Sequence, residues 1–272
     1  MTAIATAPAP IVQRRQRFAS VASTNDIIRG WLAQGEPEIC VAVADEQTAG
    51  RGRSGRTWTA PPGRGLLVSL GFRPSWLAPD RVWRLAASVS LAMAEAAEEA
   101  AGLPERAVRL KWPNDLVIAS DGSSVRKIGG VLGETDGLGT DDPRAVVGIG
   151  LNADWPAAEF PAELHDTMTS LRALAGDRVI DPGALLDGFL AGLEARVEAL
   201  HGGRFDEAEW AARQVTTGRR VVLALPDGST ESVVATGVDG ASGALRVRDR
   251  SNNGEERSIV VGEIVHVRLA EL

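Results

Sequence analysis

Two lysines, Lys111 and Lys127, stand among 27 arginines in a chain of 272 residues. An ammonium is a compact point charge and a guanidinium a planar fork, so the two do not substitute for one another at a tight anion site. A coding bias towards arginine explains why lysine is scarce. It does not explain why both lysines fall within 16 positions of each other, in the most motif-like stretch of the chain. Both are therefore candidates for chemistry on an anion.

Three constellations surround them. The first, Gly50-Arg51-Gly52-Arg53-Ser54-Gly55-Arg56, opens a stretch to Arg73 with five arginines and no acid. Alternating glycines let a backbone approach a ligand and turn its N–H groups inward, while arginines supply forked donors for a carboxylate or polyanion. The Gly-Lys-Ser/Thr ending of a Walker A loop is missing. On its own the run also fits a solvated loop or an RNA-contacting segment. The second, Lys111-Trp112-Pro113-Asn114-Asp115, leaves a strand and turns sharply. It reads either as a plain Pro/Asn/Asp turn over a packed Trp, or as Lys111 on a phosphate with Asn114 and Asp115 near magnesium. The third, Lys127-Ile128-Gly129-Gly130-Val131-Leu132-Gly133-Glu134, places glycines in a strand, where they often mark close approach of a ligand.

The elements that must position these residues follow from the hydrophobic pattern. Ser23 and Asp26 open a helix with Ile27, Ile28, Trp31 and Leu32 on one face and Gly35 as the stop. Strands are expected at Ile39 to Ala44, Leu66 to Phe72, Val108 to Lys111, Lys127 to Glu134 and Ala145 to Leu151, with residues 50 to 65 a loop. Asp80 can cap a helix reaching Ala101, and Asp181-Pro182 opens another whose stripe runs from Leu185 to Leu200. From about Arg219 the texture changes to five short β-rich runs. They are separated by turns such as Pro226-Asp227-Gly228, Asp239-Gly240 and Asn252-Asn253-Gly254, which predicts a small antiparallel barrel. The expected class is α+β, a mixed sheet with packed helices followed by that small SH3-like β-barrel. The division is a flexible tail at 1 to 14, a catalytic unit at 15 to 215 and the C-terminal module at 216 to 272.

Composition narrows the field. With 44% hydrophobic and 24% charged residues the chain is an ordinary globular protein, and its net charge of −7 opposes a general attraction to nucleic acid or an anionic membrane. Cys40 is the one cysteine and sits in an apolar run, so it reads as a structural thiol in a reducing compartment. The N-terminus has neither the cationic start nor the apolar stretch of a signal peptide, and a cytoplasmic location is expected.

Taken together and in this order, Ser23-Thr24-Asn25, Asp45-Glu46-Gln47, the Gly50 to Arg56 loop with Trp58, Lys111 to Asp115, Lys127 to Gly130 and Gly150-Leu151-Asn152 closely resemble the biotin–protein ligase family. The likeness covers residues 15 to 215 and, more loosely, the C-terminal module. It implies a fold shared with lipoate ligases and class II synthetases. It also implies ATP-dependent ligation of biotin, through biotinyl-5'-AMP, to a lysine of a biotin carboxyl carrier protein. In this reading Ser23, Thr24, Asn25 and Gln47 hold biotin, and Arg51, Gly52 and Arg53 close over its chain and the adenylate phosphate. Lys127 and Arg53 act at the reacting carboxylate and phosphate. Arg56, Trp58, Lys111, Asn114 and Asn152 lie on the ATP side, Trp58 packing on the adenine and Asp115 near Mg2+.

Such chemistry brings two anions together and needs no general base, which agrees with His165, His201 and His266 lying outside every motif. The nearest rival is a lipoate or octanoate ligase. A DNA-binding regulator of the same family is a second rival. The roughly 20 residues before Ser23 are too few for a helix-turn-helix, so the ligase-only form, with no nucleic-acid partner, is expected. A soluble RNA-contacting protein using the arginine loop is a third rival, and the net charge disfavours it.

Overall fold

The computed structural model describes residues 11–120, 124–224, 229–248, 254–260 and 266–269. In chain order the elements are β1 (Arg14–Val21), α1 (Thr24–Ala33), β2 (Cys40–Gln47), β3 (Gly65–Phe72), α2 (Trp83–Ala101), β4 (Val108–Lys111), β5 (Asp115–Ser120), β6 (Ser124–Asp136) and β7 (Arg144–Asn152). They are followed by α3 (Leu171–Leu174), α4 (Pro182–His201), α5 (Glu207–Ala212), β8 (Arg220–Ala224), β9 (Thr230–Val238), β10 (Leu245–Arg248), β11 (Glu256–Ile259) and β12 (His266–Leu269). The class is α+β, as expected. A seven-stranded sheet runs in the order β1-β2-β3-β7-β6-β5-β4, with β1 parallel to β2 and every other pair antiparallel.

Strand alternation decides what each face of that sheet holds. Val41, Val43, Leu66, Val68, Leu70, Val147, Ile149 and Leu151 point to one face, where α2 and α4 cover them with Val89, Met93, Phe189 and Leu193. Phe189 is fully buried there, and trimming it to alanine would cost about 3–5 kcal/mol. The alternate residues Cys40, Ala42 and Val146 point to the other face and meet Ile28, Trp31 and Leu32 of α1. Burial pushes the Cys40 thiol up to about 11, which suits a structural thiol. Because α1 is only 10 residues long, it covers part of this face and leaves room at its N-terminus.

Three local expectations are corrected. Asp80 does not cap α2: it lies in a separate 3-10 turn, Pro79–Arg81, and Val82 occupies the cap position. Residues 11 to 13, assigned to a flexible tail, are tied down. Gln13 N–H donates to the Ile39 carbonyl and Ile39 N–H to that of Ile11, because β1 adds a parallel edge strand there. The loop after β2 is not wholly irregular, since Arg51 and Thr57 form a bridge around a 3-10 turn at Arg53–Gly55.

The C-terminal module is a five-stranded antiparallel sheet in the order β11-β10-β9-β8-β12. Where a closed barrel was expected, the described residues give this sheet. Residues 261–265, between β11 and β12, lie outside them, as do Met1 to Pro10, the Pro226-Asp227-Gly228 turn and Asn252-Asn253. The module docks through the turn between β9 and β10. Trp112 Nε1 donates to the Gly243 carbonyl at 3.0 Å, and Arg84 donates to that of Gly240 at 2.9 Å. A buried Arg213 ties α2 to α5, paired with Glu98 and Glu209, both at 2.6 Å.

Candidate active site

At the N-terminus of α1, Gly130, Gly148 and Gly150 lie side by side on its face of the sheet, in the register Gly130↔Gly150 and Leu132↔Gly148. These glycines make room. A Cβ on Gly150 would stand 2.5 Å from the Trp58 ring, one on Gly130 3.2 Å from Lys127 Nζ, and one on Gly148 would collide with the Asn25 amide. The resulting cavity of about 120 Å³ is lined by Ser23, Thr24, Asn25, Gln47, Arg51, Gly52, Arg53, Arg56, Trp58, Asn114, Asp115 and Lys127. Residues from six separate stretches of sequence thus meet around one space.

Each of them is held by a definite device. Ser23 is buried at the cap position of α1, yet its side chain makes no capping bond, so its hydroxyl is not committed to the helix. Thr24 donates its backbone N–H to Gln47 Oε1 at 2.7 Å, which ties the helix start to the end of β2. Asn25 donates Nδ2 to Glu134 Oε2 at 2.6 Å. The β4–β5 hairpin places Lys111 opposite Asp115, and β6 brings Lys127 up from the other side. One carboxylate consequently faces both lysines, with Lys127 Nζ 2.6 Å from Asp115 Oδ1 and Lys111 Nζ 3.9 Å from Oδ2. Asn114 ties the hairpin turn to β6 by donating to the Val131 carbonyl at 2.8 Å.

The arginine loop divides its guanidinium groups between two tasks. Arg51 lines the cavity while gripping Asp26 with two bonds of 2.8 Å, with Glu134 at 3.6 Å, and that hydrogen bond is the main reason the Asp26 carboxyl lies below its ordinary pKa. Arg53 lines it too and, among the described residues, its guanidinium has no hydrogen-bond or ion-pair partner. Burial lowers its pKa, Arg56 pushes it the same way and Asp115 opposes them. Arg56 turns back onto the Arg53 carbonyl at 3.2 Å, and the Gly52 N–H donates to the Arg56 carbonyl. Trp58 stands over Gly150 with Lys127 Nζ 5.4 Å from its ring centre, and its buried Nε1 has no hydrogen-bond partner among the described residues.

Two of the expected site residues sit apart from this lining. Asn152 is buried beyond the cavity and donates to the Thr169 carbonyl at 3.0 Å. Lys111 opens instead onto a second cavity of about 410 Å³, which shares Arg53, Asn114, Asp115, Val131 and Leu132 with the first. A resident magnesium ion does not fit the donor set. Asp115 is the one acid lining the first cavity, both its oxygens already face ammonium groups, and no metal-binding cluster of three or more His, Cys, Asp or Glu occurs among the described residues. His165 and His201 line neither cavity; His201 stacks on Trp76 with ring centres 3.8 Å apart. Among the described residues no helix is long and apolar enough to cross a membrane.

The sequence reading missed Ser69, Asp26 and Glu134 as site residues. Ser69 is a lone polar residue in the apolar run of β3. Glu134 follows Gly130 and Leu132 at the period of a strand, so it belongs to the same face.

Residues 18–152 match the model of the biotin/lipoate A/B protein ligase family. The biotin--[acetyl-CoA-carboxylase] ligase of Mycobacterium tuberculosis is 31% identical over 253 residues, covering 92% of this chain and 88% of that one. The bifunctional ligase/repressor BirA of Bacillus subtilis is 35% identical over 149 residues, 55% of this chain, and the match spans 43% of that relative's length. Among solved structures, the biotin protein ligase of Aquifex aeolicus in complex with biotin and ATP superposes with a TM-score of 0.75 at 25% identity, covering 95% of this chain and 100% of that one. With this nearly full-length relative, the family match and the convergence of the motif residues on one cavity, the chain belongs to the biotin protein ligase family.

Proposed function

We propose that the chain activates biotin with ATP and transfers it to a lysine of a biotin carboxyl carrier domain of a biotin-dependent carboxylase. It would do so in the cytoplasm, with residues 15 to 215 as the catalytic unit and 216 to 272 as the module that braces it. The observation that carries the proposal is the meeting of Lys127 and Arg53 with the polar group Ser23, Thr24, Asn25 and Gln47 on a single cavity.

In the first step a carboxylate oxygen of biotin attacks the α-phosphorus of ATP and pyrophosphate leaves. Two like charges about 4 Å apart repel by roughly 4 kcal/mol at an effective dielectric near 20. Left uncompensated, this slows the reaction about a thousandfold. Lys127 and Arg53 supply the compensation. Asp115 accepts one N–H of Lys127, and two donors of that ammonium remain for the carboxylate and phosphate. Preorganised donors of this kind stabilise charge as it develops, without reorganising during the reaction. Magnesium enters with the nucleotide, as part of the MgATP substrate. Lys111 and Asn114 stand on the nucleotide side, and Trp58 offers an aromatic face to the base.

The product is a mixed anhydride that water destroys. The Gly50 to Arg56 loop covers it, and ordering such a loop costs about 1–2 kcal/mol per residue. The Arg51–Asp26 bonds offset part of that cost before any ligand binds. In the second step the neutral amine of the acceptor lysine attacks the acyl carbon, AMP leaves and the amine proton passes to solvent. Exchange of labelled pyrophosphate into ATP, measured with biotin, lipoate and octanoate in turn, tests the substrate. Exchange that depends on biotin alone is the expected result. Exchange supported as well by lipoate or octanoate would make the chain a ligase of those acids.

A further inference from the structure

The polar floor of the cavity has a fixed hydrogen-bond direction, and the direction starts at Glu134. That side chain lies 2.9 Å from Arg29 and 3.6 Å from Arg51, so it is a carboxylate and can only accept. Its Oε2 takes Asn25 Nδ2 at 2.6 Å, which turns Asn25 Oδ1 the other way, towards Ser69 Oγ at 2.6 Å. Ser69 has one proton and must give it to Asn25. Its oxygen can then only accept, and Thr24 Oγ1, 2.6 Å away, is the donor. Gln47 Oε1 lies 2.9 Å from the same Thr24 hydroxyl but already takes the Thr24 backbone N–H at 2.7 Å, so the hydroxyl proton goes to the shorter contact with Ser69, which needs a donor. The proton of Thr24 being committed to Ser69, the Thr24 hydroxyl and the Gln47 carbonyl keep only lone pairs for a ligand. Thr24, Asn25 and Ser69 are all buried, at 3%, 4% and 0% exposure, so water does not scramble the chain.

We infer that Glu134 and Ser69 are positioning residues that fix this floor as a set of acceptors, selecting a ligand that presents N–H donors, as a cyclic urea does. Neither side chain lines the first cavity; both act through Asn25 and Thr24. The inference rests on the biotin reading of the site and adds the origin of its selectivity for a urea ring.

The test is equilibrium binding of biotin and of ATP, separately, to the full-length chain and to Glu134→Gln, Ser69→Ala and the double variant. A glutamine at 134 can donate as well as accept, which removes the fixed direction. Each single variant is expected to bind biotin about tenfold more weakly, the size of one charged or buried hydrogen bond, and ATP within about twofold of the parent. The double variant should be no more than about threefold worse than the weaker single, because both changes break one chain. Variants that bind biotin as the parent does, lose biotin and ATP equally, or combine multiplicatively would overturn the inference while leaving the biotin reading intact. A parent chain that binds no biotin would overturn both.

Discussion

Arg51 and Arg53 are two residues apart and line one cavity, yet Arg51 is already paired and Arg53 is not. Arg51 grips Asp26 with paired 2.8 Å bonds, and the Arg53 guanidinium is unpartnered among the described residues. Arg51 lies in the bridge to Thr57, and Arg53 opens the 3-10 turn Arg53–Gly55, where Ser54 takes a left-handed conformation with φ 55°. One arginine fastens the loop and the other is held ready for an anion.

Removing the unpaired arginine, Arg53, should therefore release the intermediate without unfolding the loop, because Arg51 still holds Asp26. Arg53→Gly is expected to form biotinyl-5'-AMP and let it escape. A bystander protein mixed with the variant would gain biotin on many lysines, read by mass spectrometry. Bystander labelling no higher than with the parent would contradict the role given to Arg53.

The paired arginine, Arg51, makes a pH-dependent contribution through Asp26. The Asp26 carboxyl has its folded pKa depressed, first by the hydrogen bond from Arg51. The stability it adds is present above its unfolded pKa of about 3.8 and fades as pH falls through the lower folded value. Asp26→Asn should thus cost about 0.5–1 kcal/mol near pH 7, a small figure because the pair is partly exposed and screened. The gap in urea midpoint between parent and variant should close below about pH 3.8. A gap of constant size across that range would show that the pair adds nothing through ionisation.

Trp112, in the middle of the Lys111 to Asp115 turn, is nearly fully buried and donates to the carbonyl of Gly243 in the C-terminal module. Trp112→Phe leaves that carbonyl unsatisfied, at a cost of about 1–3 kcal/mol. Calorimetry should record a lower Tm, with the C-terminal sheet losing amide protection first. Unchanged protection of β9 and β10 would mean that the module is held by other contacts.

Arg213 is the most buried charge in the structure, with 1% of its side chain exposed between Glu98 and Glu209. Removing one member of such a group strands the others. Arg213→Ala is therefore expected to lose about 3–5 kcal/mol in denaturant unfolding. A loss below about 1 kcal/mol, the size of an exposed pair, would show that the cluster is solvated.

Much of this arrangement is legible in the sequence. Short apolar runs mark β2, β3, β6 and β7, and the Asp181-Pro182 start of α4 is a true cap, Asp181 accepting from the Gly183 N–H at 2.8 Å. β1 escapes detection because Arg14, Arg15 and Arg17 make it look like solvated chain. As an edge strand it needs few apolar residues, and its arginines pair with Glu36, Asp187 and Asp45. The motif residues are legible as types, but their division of labour is not. That Asp115 faces Lys127 as well as Lys111, and that Glu134 sets the direction of a hydrogen-bond chain, depends on contacts between residues 12 and 109 positions apart in sequence. Ser69 is invisible for the same reason, since its partners lie on α1.

The central claim is that cations aimed at the meeting point of two anions lower the barrier to adenylate formation. Single-turnover formation of biotinyl-5'-AMP by the parent chain, Lys127→Ala and Lys127→Arg measures it most directly. Losing one preorganised donor is worth about 10²–10³ in rate, and a planar guanidinium does not reproduce an ammonium held 2.6 Å from Asp115. Both variants should therefore form adenylate at least about a hundredfold more slowly while still binding ATP. Adenylate formed at the parent rate by Lys127→Ala would contradict the account.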